Sequence, residues 1–341
     1  MRVALIVCTL VACNGRNAAP EQGGGPSTTD DAATMPAPPG PHVKVLSPDI
    51  RTLPEPTIAL PMTEAFRLLD PGAAPRAKLR YAWDPKANRE LVVEAKLESR
   101  RLADGVWSAP LAIAPVREGF GVIATPTHSK DGGASLAFRG TTAEITGTDA
   151  GAKARAAEYV AEFKDRIEHR RGTIAVDARG QLGAIAFADS TTTAGKPDRA
   201  IDDVTERWLA AAVPLPDEPI GKGAKWRVSI VLRQGAAVVK QIAEYTLVEA
   251  RADRWIIDED VRRIGEDQLV SAPGLPQGAI AELIALFREN SGRVEVSPTS
   301  PWPIAGSLTT ELRVHVKVGV PNEGVHEDIT EDTGTLTFVS K

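Results

Sequence analysis

Cysteine is almost absent from this 341-residue chain: there are two, Cys8 and Cys13, both close to the first residue. Everything after position 13 therefore lacks a disulfide, a thiol nucleophile and a cysteine metal site. A body of this length can bury enough apolar surface to fold without cross-links. Long apolar runs are missing beyond Val11, and nothing approaches the roughly 20 residues that a helix needs to span a bilayer. There is no excess of base either. The 40 Lys and Arg stand against 45 Asp and Glu, a formal net charge of −5, which leaves no footprint for nucleic acid.

The motifs of the common chemistries are missing too. There is no G-x-S-x-G, no H-E-x-x-H and no Walker loop, since Gly195-Lys196 runs straight into Pro197. Gly119-Phe-Gly121-Val-Ile-Ala124 has the spelling G-x-G-x-x-A, but a dinucleotide site needs a helix to open after the glycines, and here a β-type run continues to Pro126. Of five histidines, His42 lies in a linker, His128 in a polar loop, His169 at a helix end and His315 on the wet face of a strand. His326-Glu327-Asp328, with Glu331 and Asp332, matches no closed zinc or EF-hand spacing and reads as an acidic hairpin loop. Asp258-Glu259-Asp260 reads as polar positions at a strand end. No catalytic, cofactor-binding or metal residue is expected, and the chain is not expected to be an enzyme.

What is present begins at the first residues. One basic side chain, Arg2, precedes an apolar run from Val3 to Val11, and Leu10-Val11-Ala12-Cys13 closes it. This is the layout of an export signal, and L-V-A-C resembles the lipobox of bacterial lipoproteins. The resemblance implies cleavage before Cys13, a diacylglyceryl group on its sulfur and a fatty acyl group on the new N-terminus. Two or more acyl chains make a lasting tether. Residues 1–12 are then a signal peptide and residues 13–42 a lipid-anchored linker. The linker's Gly, Pro, Ala, Ser, Thr and Asp composition predicts disorder. A body cut free of this tether is expected to ignore membranes.

Order is expected from Val43, in a β-rich half over 43–198 and another over 199–341. Short β-type runs at Thr57–Leu60, Lys78–Trp83, Leu91–Leu97, Phe120–Thr125 and Ser135–Phe138 are punctuated by turn residues, as in antiparallel hairpins. Ala156, Val160, Phe163 and Ile167 form a helical stripe within 152–171, and Gly172 follows it. Ile201, Val204, Trp208 and Leu209 predict a second helix, and Ile280, Leu283, Ile284 and Phe287 a third. Trp226-Val228-Ile230-Leu232 and Leu308 through Val318 alternate in the manner of strands wet on one face. The fold class is α+β, mainly antiparallel sheet in two similar halves with about three interleaved helices. Gly172-Thr-Ile-Ala-Val176 and Gly292-Arg-Val-Glu-Val296 mark the suspected duplication.

The most distinctive stretch is Val213-Pro-Leu-Pro-Asp-Glu-Pro-Ile-Gly-Lys-Gly-Ala-Lys-Trp226. Its prolines force an extended path, and its glycines permit close or left-handed backbone where the chain leads into a strand. Trp226 and Trp255 are expected in the core. The pattern P-L-P-x-x-P-x-G-x-G-A-x-W, with Tyr245-Thr-Leu-Val248, resembles a family of uncharacterised myxobacterial-type lipoproteins over Ile201 to Val318. That resemblance implies a cell-envelope location, membrane-anchored by lipid, in the outer membrane on its periplasmic or surface face. It carries no activity. The expected function is a non-catalytic binding or scaffolding module, with an envelope protein or a hydrophobic ligand as partner. The alternative is a periplasmic carrier of lipid or another hydrophobic ligand in a curved-sheet cavity.

Overall fold

A computed structural model describes residues 63–84, 88–103, 105–126, 132–166, 168, 171–187, 211–234, 237–270, 278–321 and 324–340. Cys13, the linker, the Thr57–Leu60 run and the second expected helix lie outside these residues. The first strands are β1 (Thr63–Asp70), β2 (Asn88–Ala103), β3 (Val106–Trp107), β4 (Leu111–Pro126) and β5 (Ala134–Ile145). Helix α1 (Ala150–Arg166) precedes β6 (Arg171–Val176), β7 (Leu182–Phe187), β8 (Lys225–Gln234), β9 (Ala237–Ala250) and β10 (Trp255–Gly265). The chain continues with β11 (Gln268–Val270), β12 (Ile280–Val296), β13 (Pro303–Val320) and β14 (Gly324–Ser340).

All fourteen strands form one sheet in the order β1-β8-β9-β10-β12-β13-β14-β2-β4-β5-β6-β7, with β11 on β12 and β3 on β2. Every strand pairing is antiparallel. The chain is thus mainly antiparallel β, as expected, but among the described residues it has one helix rather than three. The third expected helix is the middle strand β12. Its inward residues are Ala281, Leu283, Leu286, Arg288 and Asn290, and a register shift between Leu283 and Ala285 changes their phase. That irregularity stretches a period of two to a local i, i+3 spacing, which imitates a helix. The backbone groups of β12 bond on one side to β10 and on the other to β13 along most of its length, and this tertiary pairing overrides the local pattern.

Two further expectations change. Lys78–Trp83 is extended but is not a strand: it crosses one end of the sheet, where Tyr81 N–H donates to Ala178 and Ala82 N–H to Pro298. The suspected duplication does not extend to the elements, because α1 precedes Gly172 whereas Gly292 lies inside β12. The sheet also runs through both halves: β1 pairs with β8, and β14 joins β13 to β2.

The inner face of the sheet buries two cores. One gathers inward residues of β8, β9, β10, β12, β13 and β14, from Trp226 and Leu247 to Val294 and Leu308. The other gathers β2, β4, β5 and β6 around α1. Asp149 caps that helix, its carboxylate accepting from the Ala152 N–H at 2.6 Å, and Ala152, Ala156 and Val160 are its buried stripe.

Candidate functional site

The Pro214–Trp226 stretch is a plug at one end of the sheet. Prolines at 214 and 216 cannot donate to a ladder, so each remaining backbone group needs its own partner once buried. The partners are present. Val213 N–H donates to Pro301 and Leu215 N–H to Arg179, at 2.9 and 2.8 Å. Three aromatic side chains serve three successive carbonyls: Tyr245 Oη on Ala212 at 3.4 Å, Tyr81 Oη on Val213 at 2.8 Å and Trp226 Nε1 on Pro214 at 2.8 Å. The Arg80 guanidinium donates to the carbonyl of Pro216 at 2.7 Å. Val213, Leu215, Ile220 and Trp226 are fully buried. Trp226 stacks on Tyr245, and Tyr81 meets the Trp255 ring edge-on.

The two glycines of the plug act differently. At Gly221 a Cβ would lie 1.9 Å from the carbonyl oxygen of Ala73, because two backbones touch there. Gly223 has φ near 81° and open space around it, and its N–H reaches the Leu247 carbonyl.

Beyond the plug, the inner face carries a buried polar patch. Gln241, Arg263 and Arg288 stand directly opposite one another across β9, β10 and β12, and Asn290 stands opposite Thr310. All five are buried, as are Gln234, Glu259 and Asp332. Arg263 Nε donates to Gln241 Oε1 at 2.8 Å, and the Thr310 hydroxyl to Asn290 Oδ1 at 2.7 Å. Burial pushes the Glu259 carboxyl up to about 8. It also pushes Asp332 up to about 7, against the opposing influence of the Ser99 hydroxyl and the Arg288 guanidinium. Ser99 faces Asp332 across the strand pair, but neither carboxylate oxygen has a hydrogen bond of good geometry.

This patch does not form an acid–base pair. Glu259 and Asp332 sit three strand spacings across the sheet, about 14 Å, and four residues along it, about 13 Å, whereas paired carboxylates of hydrolases act across roughly 5–10 Å. What the patch can do is keep buried acids protonated, Glu259 opposite Tyr245 and Asp332 under the influence of Arg288, and so couple folding to pH.

Of the other sequence candidates, Asp258, Asp260, His315, Glu327 and Glu331 face outward, whereas His326 and Asp328 stand opposite the buried Val318 and Val316 and share their side of the sheet. Asp258 accepts from Arg293 and Asp260 from Arg262, mid-strand rather than at a strand end. His326-Glu327-Asp328 lies within β14, not in a loop. His315 Nε2 lies 2.7 Å from Glu327 Oε1, and this hydrogen bond is the main influence holding Glu327 below its ordinary range. Asp328 pairs with Arg101. Among the described residues no three His, Cys, Asp or Glu side chains gather as a metal site. Gly119–Ala124 is strand throughout.

Sequence reasoning missed the inward members of the patch. The signal was phase: Trp255, Ile257, Glu259, Val261 and Arg263 alternate into the core. Reading β12 as a helix hid Arg288 and Asn290.

A small apolar cavity of about 30 Å³ opens between the two cores, beside Leu91, Phe120, Ala211, Trp302 and Phe338. Another of about 10 Å³ lies beside Trp83, Arg89, Thr299 and Trp302. The chain matches no known family model, and no curated protein matches it.

Proposed function

We propose that the chain is a lipid-anchored cell-envelope protein whose body binds or scaffolds a partner without catalysing a reaction. The plug is the observation that carries this reading. A segment of the chain itself, with its buried Val213 and Leu215 N–H groups and the carbonyls of Ala212, Val213 and Pro214 hydrogen-bonded, covers one end of the sheet. Charged side chains on the outer face are matched across strands, as in Arg293 with Asp258 and Arg227 with Glu244. Anchoring rests on Leu10-Val11-Ala12-Cys13, and an outer-membrane location on the resemblance of the plug motif to myxobacterial-type lipoproteins.

The carrier reading stands second. Its support is the apolar cavity between the cores, but about 30 Å³ admits a water molecule rather than an acyl chain. Mass spectrometry of the native protein tests both readings. The expected result is a triacylated Cys13 and no other lipid in stoichiometric amount. A stoichiometric free lipid in the organic extract would favour the carrier, and an unmodified Cys13 would remove the anchor.

A further inference from the structure

The plug marks one end of the sheet, and the opposite end has a different surface. Strand direction fixes the two ends. The turns after β9 and β12, the turn between β6 and β7, and the plug lie together at the first. The hairpins β8–β9, β10–β11, β13–β14 and β2–β3 and the start of β4 lie at the second. Of the eleven large apolar side chains that stand exposed among the described residues, Leu69, Ile123 and Val339 are near the plugged end. The other eight, Val106, Trp107, Leu111, Val238, Ile264, Leu269, Ile280 and Val325, are all at the hairpin end. Single exposed apolar residues are unremarkable, but a gathering of this kind marks an interaction surface.

The arrangement is distinctive in four ways. The side chains come one or two per hairpin tip or strand start, with Val106 at 71% and Trp107 at 37% exposure on neighbouring positions of the β2–β3 tip. Trp107 is held from behind by the Arg100 guanidinium, 4.6 Å from its ring centroid, which in turn pairs with Glu331. Ile280 and Val325 flank Gly319 in register. Gln268 ties β11 to β9 by accepting from the Val238 N–H and donating to its carbonyl, so Leu269 and Val238 are neighbours.

We infer that this rim inserts into the headgroup region of a zwitterionic lipid bilayer, as a second membrane contact beside the lipid on Cys13. Separate tips, each adding burial independently, suit a fluid apolar boundary, whereas a protein interface needs a packed, shape-complementary centre. Strand β1 runs towards the plugged end, from Thr63 opposite Ile230 to Asp70 opposite Lys225, so its first residue is the one nearer the rim. Charge selects the lipid. Arg101 is matched by Asp328 and Lys317 by Glu327, while Glu266 and Asp267 are exposed at the β10–β11 turn, so an anionic surface gains nothing. Among the described residues no helix is long and apolar enough to cross a membrane. The inference rests on the tethered-envelope reading for its biological setting. It also revises the expectation that the freed body ignores membranes, which counted continuous runs and could not see hairpin tips brought together.

The test uses the chain from Asn14 onward, never lipidated, since all described strands, the helix and both cores lie beyond residue 62. It is sedimented with phosphatidylcholine vesicles while tryptophan emission is followed. The wild-type chain is expected to pellet with the vesicles and shift its emission to the blue. Val106→Ser with Trp107→Ser, and separately Ile280→Ser with Val325→Ser, should weaken partitioning about tenfold without moving the melting midpoint. Val106→Ser alone, at the most exposed position, should weaken it severalfold and serves if a double variant misfolds. Leu69→Ser with Val339→Ser, at the plugged end, should partition like wild type, and 0.5 M salt should change nothing. The inference is overturned by a wild-type chain that stays in the supernatant, by an equal loss in the plugged-end variant, by release in salt, or by light scattering that shows the rim holding two copies together. Lipid on Cys13 is read separately by mass on the full precursor, so the two ideas fail independently.

Discussion

The indole of Trp226 donates to the carbonyl of Pro214 at 2.8 Å, closing a loop between the first strand residues of β8 and the segment that plugs the sheet. The ring is fully buried and stacked on Tyr245, so it serves both packing and backbone satisfaction. Trp226→Ala should destabilise the fold by about 3–5 kcal/mol, as buried aromatic truncations do. Trp226→Phe keeps much of the packing and orphans one carbonyl, at a cost of about 1–3 kcal/mol. Urea unfolding measures both. A Trp226→Phe variant as stable as wild type would show that the hydrogen bond contributes nothing.

The two plug glycines should respond differently to alanine. At Gly221 the new methyl would meet backbone at 1.9 Å, which cannot yield as a side chain can. The strand-like contact of Ile220 with Ala77 would have to open, at a cost of at least the 1–3 kcal/mol typical of overpacking. Gly223 has open space and only the left-handed backbone to resist substitution, roughly 1–2 kcal/mol. Thermal melts of both variants test the order; a worse Gly223→Ala would mean that the backbones part easily.

Glu259 makes stability fall as pH rises. Its carboxyl is pushed from 4.5 up to about 8 by burial, so the folded chain keeps a proton that the unfolded chain releases. The stabilisation is whole below pH 4.5 and declines progressively until pH passes about 8, a loss of roughly 3–5 kcal/mol. Glu259→Gln should remove this slope and be the more stable protein at pH 8.5. Parallel slopes in variant and wild type would place the Glu259 carboxylate in a hydrated setting.

Asp332 adds a second, earlier window. Its carboxyl rises from 3.8 to about 7, so its contribution is lost between about pH 4 and 7. Asp332→Asn should flatten the stability curve below neutrality and leave the stretch from 7 to 8 to Glu259. Chemical denaturation at half-unit pH steps separates the two. A variant whose curve differs only above pH 7 would overturn the assignment.

Cys13→Ala should leave a precursor of full length with no lipid mass, because the sulfur that receives the diacylglyceryl group is gone. Normal cleavage and membrane retention in that variant, read by intact mass and fractionation, would exclude the lipobox reading.

The parts of the fold legible in the sequence were those with uninterrupted alternation. Leu308 to Val318 and Trp226 to Leu232 alternate cleanly and became β13 and β8. The plug was legible through its prolines and glycines, although its aromatic donors Tyr81 and Tyr245 lie far away in the chain and carry no local signal. Strand β12 was misread because one register shift converts alternation into a helical spacing. The polar patch was hidden for a related reason. Glu259 and Asp332 each sit among other acids in sequence, and only the strand phase distinguishes the inward carboxylate from its solvated neighbours.

The place of β14 in the sheet has a consequence for how the protein is made. Among the described strands β14 comes last in the chain, yet it alone links β13 to β2, pairing Asp328 with Ala103. Until it is delivered, a nascent chain holds two partial sheets, each with a long unpaired edge, and the closing contacts span more than half the sequence. Such late, non-local closure is slow, and open edges invite pairing with the wrong chain. A polypeptide of this topology carries two edges open to mispairing until the β13–β14 hairpin has formed.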